Sequence, residues 1–169
     1  MLERWLKQSP DVLPHNELML FGASRSLLTE RVIRPALLAG MVVVCDRYAP
    51  SSIAYQGYGR SLDLKIVESV NQLATKGIRP DIVFFLDLPP AKGLSRKDCA
   101  LADRFQEEDL AFHNRVRRGY LAMAAADPAT WTVLDATLPP RTLSRMVWKQ
   151  VQHLLEQAAI AAHPPGTGK

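Results

Sequence analysis

Asp46, Arg47 and Tyr48 follow directly on an apolar run, MVVVC, at 41–45. A guanidinium at the end of a strand can grip a phosphate through two parallel hydrogen bonds. A carboxylate beside it can hold magnesium, directly or through water. By itself the tripeptide fits a surface ion pair at a strand terminus at least as well. The residues after it shift that balance. SSIAYQG, 51–57, brings two hydroxyls, a phenol and an amide together at the start of a helix, with Ser51 or Ser52 as a candidate cap. That is dense hydrogen-bonding chemistry for a base and a sugar.

Upstream, LMLFGASR covers 18–25. Phe21 and Arg25 are four residues apart and share a helix face. A phenyl ring can stack on a base, and an arginine can donate to a pyrimidine carbonyl. By itself a phenylalanine at this spacing is far more often core. Downstream, GLSRKDCALADRFQEED, 93–109, concentrates Arg96, Lys97 and Arg104 in a polar stretch. His15, His113, His153 and His163 show no metal-ligand spacing.

The elements that must position these groups follow from periodicity. Helical spacing predicts a helix over 16–39 through Leu18, Phe21, Leu28, Val32 and Leu38, with Pro35 in its last turn and Gly40 beyond it. A second helix is predicted over 62–75 through Leu62, Ile66, Val70 and Leu73, with Asp63 as cap. A third is predicted over 106–126 through Leu110, Phe112, Val116, Tyr120 and Met123, and a fourth over 140–160. Continuous apolar runs at 41–45, 82–86 and 131–135 read as buried parallel strands. The segment 89–103 reads as a mobile loop and 163–169 as a disordered tail after a single domain over 1–162. Strands separated by helices mean an α/β fold with a parallel sheet, whose ligand crevice lies at the C-terminal strand ends. Asp46, Arg47 and Asp87 stand at those ends.

Composition narrows the classes. With 169 residues, 47% hydrophobic and 22% charged, the chain suits one domain with a real core. A net charge of +4, spread along the chain, gives no support for nucleic-acid binding. The two cysteines, Cys45 and Cys99, lack the spacing of a zinc site or a disulfide framework. MLERWLKQ lacks the apolar core of a signal peptide, and no run approaches the ~20 apolar residues that span a bilayer. The expectation is a cytoplasmic protein with no membrane role.

The run DRYAPSSIAYQGYGR resembles the thymidylate kinase signature. FGASR, ATKGIRPDIVFFLDLP at 74–89, the DRF at 103–105 and FHNRVRRGYLAMA at 112–124 are similar to the same family, over about residues 15–155. The resemblance implies a P-loop NTPase-type fold and the reaction ATP plus dTMP giving ADP plus dTDP, with Mg2+ bound through Asp46. It implies Arg47 on the dTMP phosphate, Phe21 stacked on thymine, Arg25 on its O4 and Ser52 near the base. Tyr55 would lie against the deoxyribose, where its ring would disfavour a 2′-hydroxyl, and Gln56 in the nucleotide pocket. Arg96, Lys97 and Arg104 would belong to a lid over ATP that neutralises charge on the transferring phosphoryl group. A homodimer is the family's usual state. The sequence departs from the pattern at Ser24 and Gln106, where the family carries an acidic or amide residue and a glutamate, and in the sparse basic residues of the lid.

No G-x-x-x-x-G-K-[ST] occurs in the sequence, and the closing PPGTGK has no glycine at the position that would complete it. The resemblance places the missing strand between those at 41–45 and 82–86. The expectation is an N-terminally truncated fold with weak or no kinase activity. A non-catalytic dTMP-binding remnant and another nucleoside or nucleotide kinase of the same fold remain alternatives.

Overall fold

The computed structural model describes residues 12–94, Phe105 and residues 108–162. Arg96, Lys97, Cys99, Asp103, Arg104 and Gln106, and the tail at 163–169, lie outside the described residues.

The first element is one long helical rod in three parts. Helix α1 spans Pro14–Leu28, a π-helical segment follows over Thr29–Ile33, and α2 spans Arg34–Leu38. The widening has a local cause. Pro35 has no N–H for the carbonyl four residues back, and its ring clashes with that carbonyl in a regular helix. The Arg34 amide instead reaches back to the Thr29 carbonyl. A short helix α3, Ala49–Ser52, runs into a second π-helical segment, Ile53–Gly59. Helix α4 spans Leu64–Thr75. Its cap is the expected one: Asp63 accepts from the Lys65 amide at 2.8 Å. Left-handed Lys76 and Gly77 close it. Strand β1, Val83–Asp87, leads to a short helix α5, Pro90–Leu94, so the stretch read as loop begins helical. Helix α6, Leu110–Ala126, is capped by Asp109, and β2 (Trp131–Asp135) and α7 (Pro140–Ala162) complete the order.

Among the described residues the sheet has two strands. β1 and β2 pair in parallel, from Val83 opposite Trp131 to Asp87 opposite Asp135. The run at 41–45 corrects the sequence reading: it is not a strand, and it is not buried. Met41, Val42 and Val44 are 57, 65 and 93% exposed. The apolar run has strand propensity, but a strand is completed only by a hydrogen-bonding neighbour, and 41–45 pairs with neither β1 nor β2. Cys45 is accordingly exposed, with its thiol on the Arg47 carbonyl.

The core lies where α1, the second π-segment, α4 and α6 meet. Ala54, Phe105, Phe112 and Val116 form its centre, with Phe21, Tyr55, Tyr120 and Met123 packed around them. Two helix faces differ from expectation. On the first rod Leu18 is buried, but Leu28, Val32 and Leu38 are exposed; the inner stripe runs through Glu17, Leu18, Gly22, Thr29 and Ile33. On α4 the inner face is Val67, Asn71, Ala74 and Thr75, while Leu73 is 77% exposed. The inner faces of both helices carry polar and small residues. Gly22 permits the contact between them: a Cβ there would lie 2.8 Å from Val70 Cγ1. Among the described residues, no helix is long and apolar enough to cross a membrane.

Candidate functional site

Three lines of side chains converge on the start of α3. From α1, Arg25 reaches across to donate to Ser52 Oγ at 2.9 Å and to Asn71 Oδ1 of α4 at 2.7 Å. Its guanidinium also lies 5.9 Å from the centre of the Tyr48 ring. Asn71 in turn donates to the Ala49 carbonyl at 3.0 Å. A 2.9 Å hydrogen bond between Thr29 Oγ1 and the Tyr48 hydroxyl ties the same turn to the rod. Ser51 and Ser52, read as candidate caps, cap nothing here: the helix begins at Ala49, with Tyr48 in the cap position and no side-chain cap bond. Their hydroxyls point to Tyr120 and Arg25 instead.

Arg47 has φ of 64°, in the left-handed region that side-chain-bearing residues adopt at a cost of about 1–3 kcal/mol. The guanidinium stands over the Tyr55 ring, 5.1 Å from its centre. Partial desolvation opposes its charge, although the residue as a whole is exposed. The oxygens of Tyr55 and Tyr120 and the Asp46 carboxylate outweigh this and hold the group above the usual guanidinium range. Arg47 is thus a fixed cation. Tyr120 comes from α6, stacks on Phe85 of β1 with ring centres 4.9 Å apart, and shares a 2.9 Å hydrogen bond with Ser51. Burial pushes its phenol up, against the opposing pull of that bond and of Arg47.

A lining of aromatic rings runs from Tyr55, under Arg47, to Phe21, which shares the helix face of Arg25. Phe21 lies 6.0 Å from Phe105, and Tyr55 meets Phe105 edge-on at 5.7 Å and Phe112 at 6.1 Å. A planar ring at the Phe21 end would lie on the helix face that also carries Arg25, a donor. An anion at the other end would find Arg47. Asp46 is exposed beside it. No group of three or more His, Cys, Asp or Glu gathers among the described residues, so a protein cage for a metal is not what they offer. One carboxylate next to an arginine that could take a phosphate is a pairing that could hold magnesium, which commonly takes one or two carboxylates and fills its shell with substrate oxygens and water.

Phe21, Arg25, Arg47, Ser52 and Tyr55 are therefore brought together, with Asp46 at the rim. Gln56 is placed differently. It is 2% exposed, and its amide donates to Glu17, itself fully buried. Arg60 bridges that carboxylate to Glu108, which precedes α6, and its guanidinium lies over the Phe112 ring at 4.8 Å. Asp87, placed by the sequence at the crevice, forms a two-pronged ion pair with Arg117 at 2.6 and 2.8 Å. Glu17, Arg60, Asn71 and Arg117 escaped the sequence reading. Glu17 and Asn71 left one signal: each is a polar residue at a position that must face inward if its neighbours one turn away do.

The model for the family described as Thymidylate kinase matches residues 1–147. A thymidylate kinase of Dehalococcoides mccartyi is 44% identical over 155 residues, covering 92% of this chain and 74% of the relative. One of Solidesulfovibrio magneticus is 48% identical over 147 residues, covering 82% and 70%. The crystal structure of thymidylate kinase from Ehrlichia chaffeensis superposes with a TM-score of 0.65 at 28% identity, over 79% of this chain and 65% of that one. The chain thus spans about three quarters of the length of these curated relatives and just under two thirds of the solved one.

Proposed function

This chain belongs to the thymidylate kinase family of phosphotransferases, and from that premise we propose that the site described above takes dTMP as phosphoryl acceptor, with ATP as donor. Its architecture would be that of the P-loop NTPases. Arg47 holds the acceptor phosphate, poised by its stack on Tyr55. Phe21 faces the pyrimidine ring, and Arg25 donates to its O4 while Ser52 and Asn71 hold the guanidinium. Tyr55 lines the deoxyribose, where its ring disfavours a 2′-hydroxyl. Gln56 acts from below, as the residue that locks Tyr55's segment to Glu17. Magnesium would sit beside Asp46 and screen the charge between acceptor phosphate and donor.

The chemistry asks little of the protein beyond alignment and charge compensation. An acceptor phosphate oxygen forms the new bond to the terminal phosphorus of ATP as the bridging bond breaks and ADP leaves. Arg47 restrains that oxygen; Arg96, Lys97 and Arg104, outside the described residues, would supply compensating positive charge. The observation that carries the proposal is Arg25: a cation, a donor only, held by the Asn71 and Ser52 oxygens on the helix face it shares with Phe21. It suits a pyrimidine carbonyl and would meet a 4-amino group donor to donor.

The reading extends to a cytoplasmic homodimer. Met19, Leu27 and Val32 leave an exposed apolar stripe along the first helical rod that a second copy would cover. Titration calorimetry with dTMP, dUMP, CMP and AMP tests the acceptor assignment. Preference for dTMP is expected. Binding of AMP or CMP as tight as dTMP would refute it, and sedimentation as a monomer at high concentration would refute the dimer.

A further inference from the structure

We infer that Asn71 is the positioning residue for Arg25, and that through it the α4 helix sets selectivity for a 4-oxo over a 4-amino pyrimidine; the inference rests on the acceptor site proposed above. Asn71 is 6% exposed, on the inner face of α4. Both ends of its amide are engaged. Oδ1 accepts from Arg25 at 2.7 Å, and Nδ2 donates to the Ala49 carbonyl at 3.0 Å. Exchanging the two ends would set N–H against guanidinium and oxygen against carbonyl, so the orientation shown is the one that the surroundings permit. The oxygen is therefore committed to Arg25.

Two consequences follow from the chemistry of an amide at this position. It is an acceptor without a charge, so it orients the guanidinium without neutralising it. It is also tied to Ala49, two residues beyond Arg47, so one side chain holds the base-reading arginine and the turn carrying the phosphate-binding one. Without Asn71, one end of the Arg25 guanidinium loses its acceptor, while the Ser52 hydroxyl and the Tyr48 ring remain as contacts that fix its direction less closely. A donor held less closely can find substitutes on either base, and discrimination falls.

The test compares dTMP with 5-methyl-dCMP, in which a 4-amino group replaces the 4-oxo group and N3 changes from donor to acceptor, by calorimetry on the 169-residue chain and its variants. In Asn71→Ala the preference for dTMP is expected to fall by about tenfold, the size of a lost hydrogen bond to a charged group. In Asn71→Asp the oxygen remains and the preference is expected to survive, although both variants lose the bond to Ala49 and melt lower. A merely structural Asn71 would weaken both ligands alike in both variants. An unchanged ratio in folded Asn71→Ala overturns this inference alone. A wild-type chain that does not distinguish the two ligands overturns it together with the acceptor assignment. Should Asn71→Ala not fold, guanidinium nitrogen NMR of the wild type decides: slowed rotation of Arg25 without ligand supports the restraint, and free averaging overturns it.

Discussion

Replacing Glu17 by alanine should cost this chain a large part of its stability. The carboxylate is fully buried and accepts from the Gln56 amide and the Arg60 guanidinium. Gln56 is itself 2% exposed, so water cannot take the carboxylate's place there. Arg60 is better protected, since Glu108 remains as its second partner. Removing one member of a buried charged pair costs about 3–5 kcal/mol. The upper end requires an arginine left alone, which Glu108 prevents, so about 3 kcal/mol is the expectation. Glu17→Gln keeps an acceptor for Gln56 but turns an amide donor toward Arg60, which Glu108 still pairs; about 1–2 kcal/mol is expected, near the net worth of a charged hydrogen bond over a neutral one. For a domain of this size each kcal/mol moves the melting temperature by about 2–4 °C. The alanine variant should therefore melt on the order of 10 °C lower, and the glutamine variant about half as far. Urea titrations of the two variants and the wild type, with equal slopes, give the differences directly. If Glu17→Ala lies within about 1 kcal/mol of the wild type, the claim that this network anchors the site's floor is wrong.

Arg47→Ala should weaken dTMP by about a hundredfold while leaving thymidine, which has no phosphate, within a fewfold; equal losses for both in calorimetry would remove Arg47 from the phosphate. Gly119→Ala should destabilise by about 1–3 kcal/mol, because the new Cβ would lie 2.8 Å from two ring carbons of Tyr58 and 3.0 Å from its Cβ; thermal melting checks this, and an unchanged midpoint would refute the close approach. Tyr120 has its phenol raised by burial, so the unfolded chain loses this proton first. Its contribution is thus complete below the ordinary phenol value of about 10 and declines as pH rises from there toward the folded-state value. Tyr120→Phe should flatten the alkaline slope of stability against pH, and an unaltered slope would refute the assignment.

The ends of elements were the most legible part of the sequence. Asp63 caps α4, Gly77 follows it in the left-handed region, and Asp87 closes β1, because these signals depend on a few neighbouring residues. The sequence also singled out Phe21, Arg25, Arg47, Ser52 and Tyr55, which the fold brings into one neighbourhood. Two things were not legible. Periodicity assigned Leu73 inward and overlooked Asn71, since it weighs side chains by hydrophobicity, and here α4 turns small and polar residues toward the site. The strand expected at 41–45 failed for a different reason. Its sequence describes what the segment would do beside a partner, and among the described residues it has none.

The segment Ile53–Gly59 explains why the site can be both open and rigid. Tyr55 and Gln56 are adjacent in sequence and have opposite tasks. Tyr55 faces Arg47 and the aromatic lining. Gln56 faces a buried carboxylate. The wider π-helical turn shifts the angular relation of successive residues and is held at its far end by the Arg60 amide on the Tyr55 carbonyl. That bond matters beyond geometry, because Arg60 also carries the link from Glu17 to Glu108. The residue that closes the turn bearing Tyr55 thus joins α1, through Glu17, to the approach of α6, through Glu108. A substitution that restored regular helix here would have to move Tyr55 off Arg47 or Gln56 off Glu17. Selectivity and stability therefore meet in one turn, and variants of this segment should lose both together, whereas Asn71→Asp should separate them by melting lower with the preference for dTMP intact.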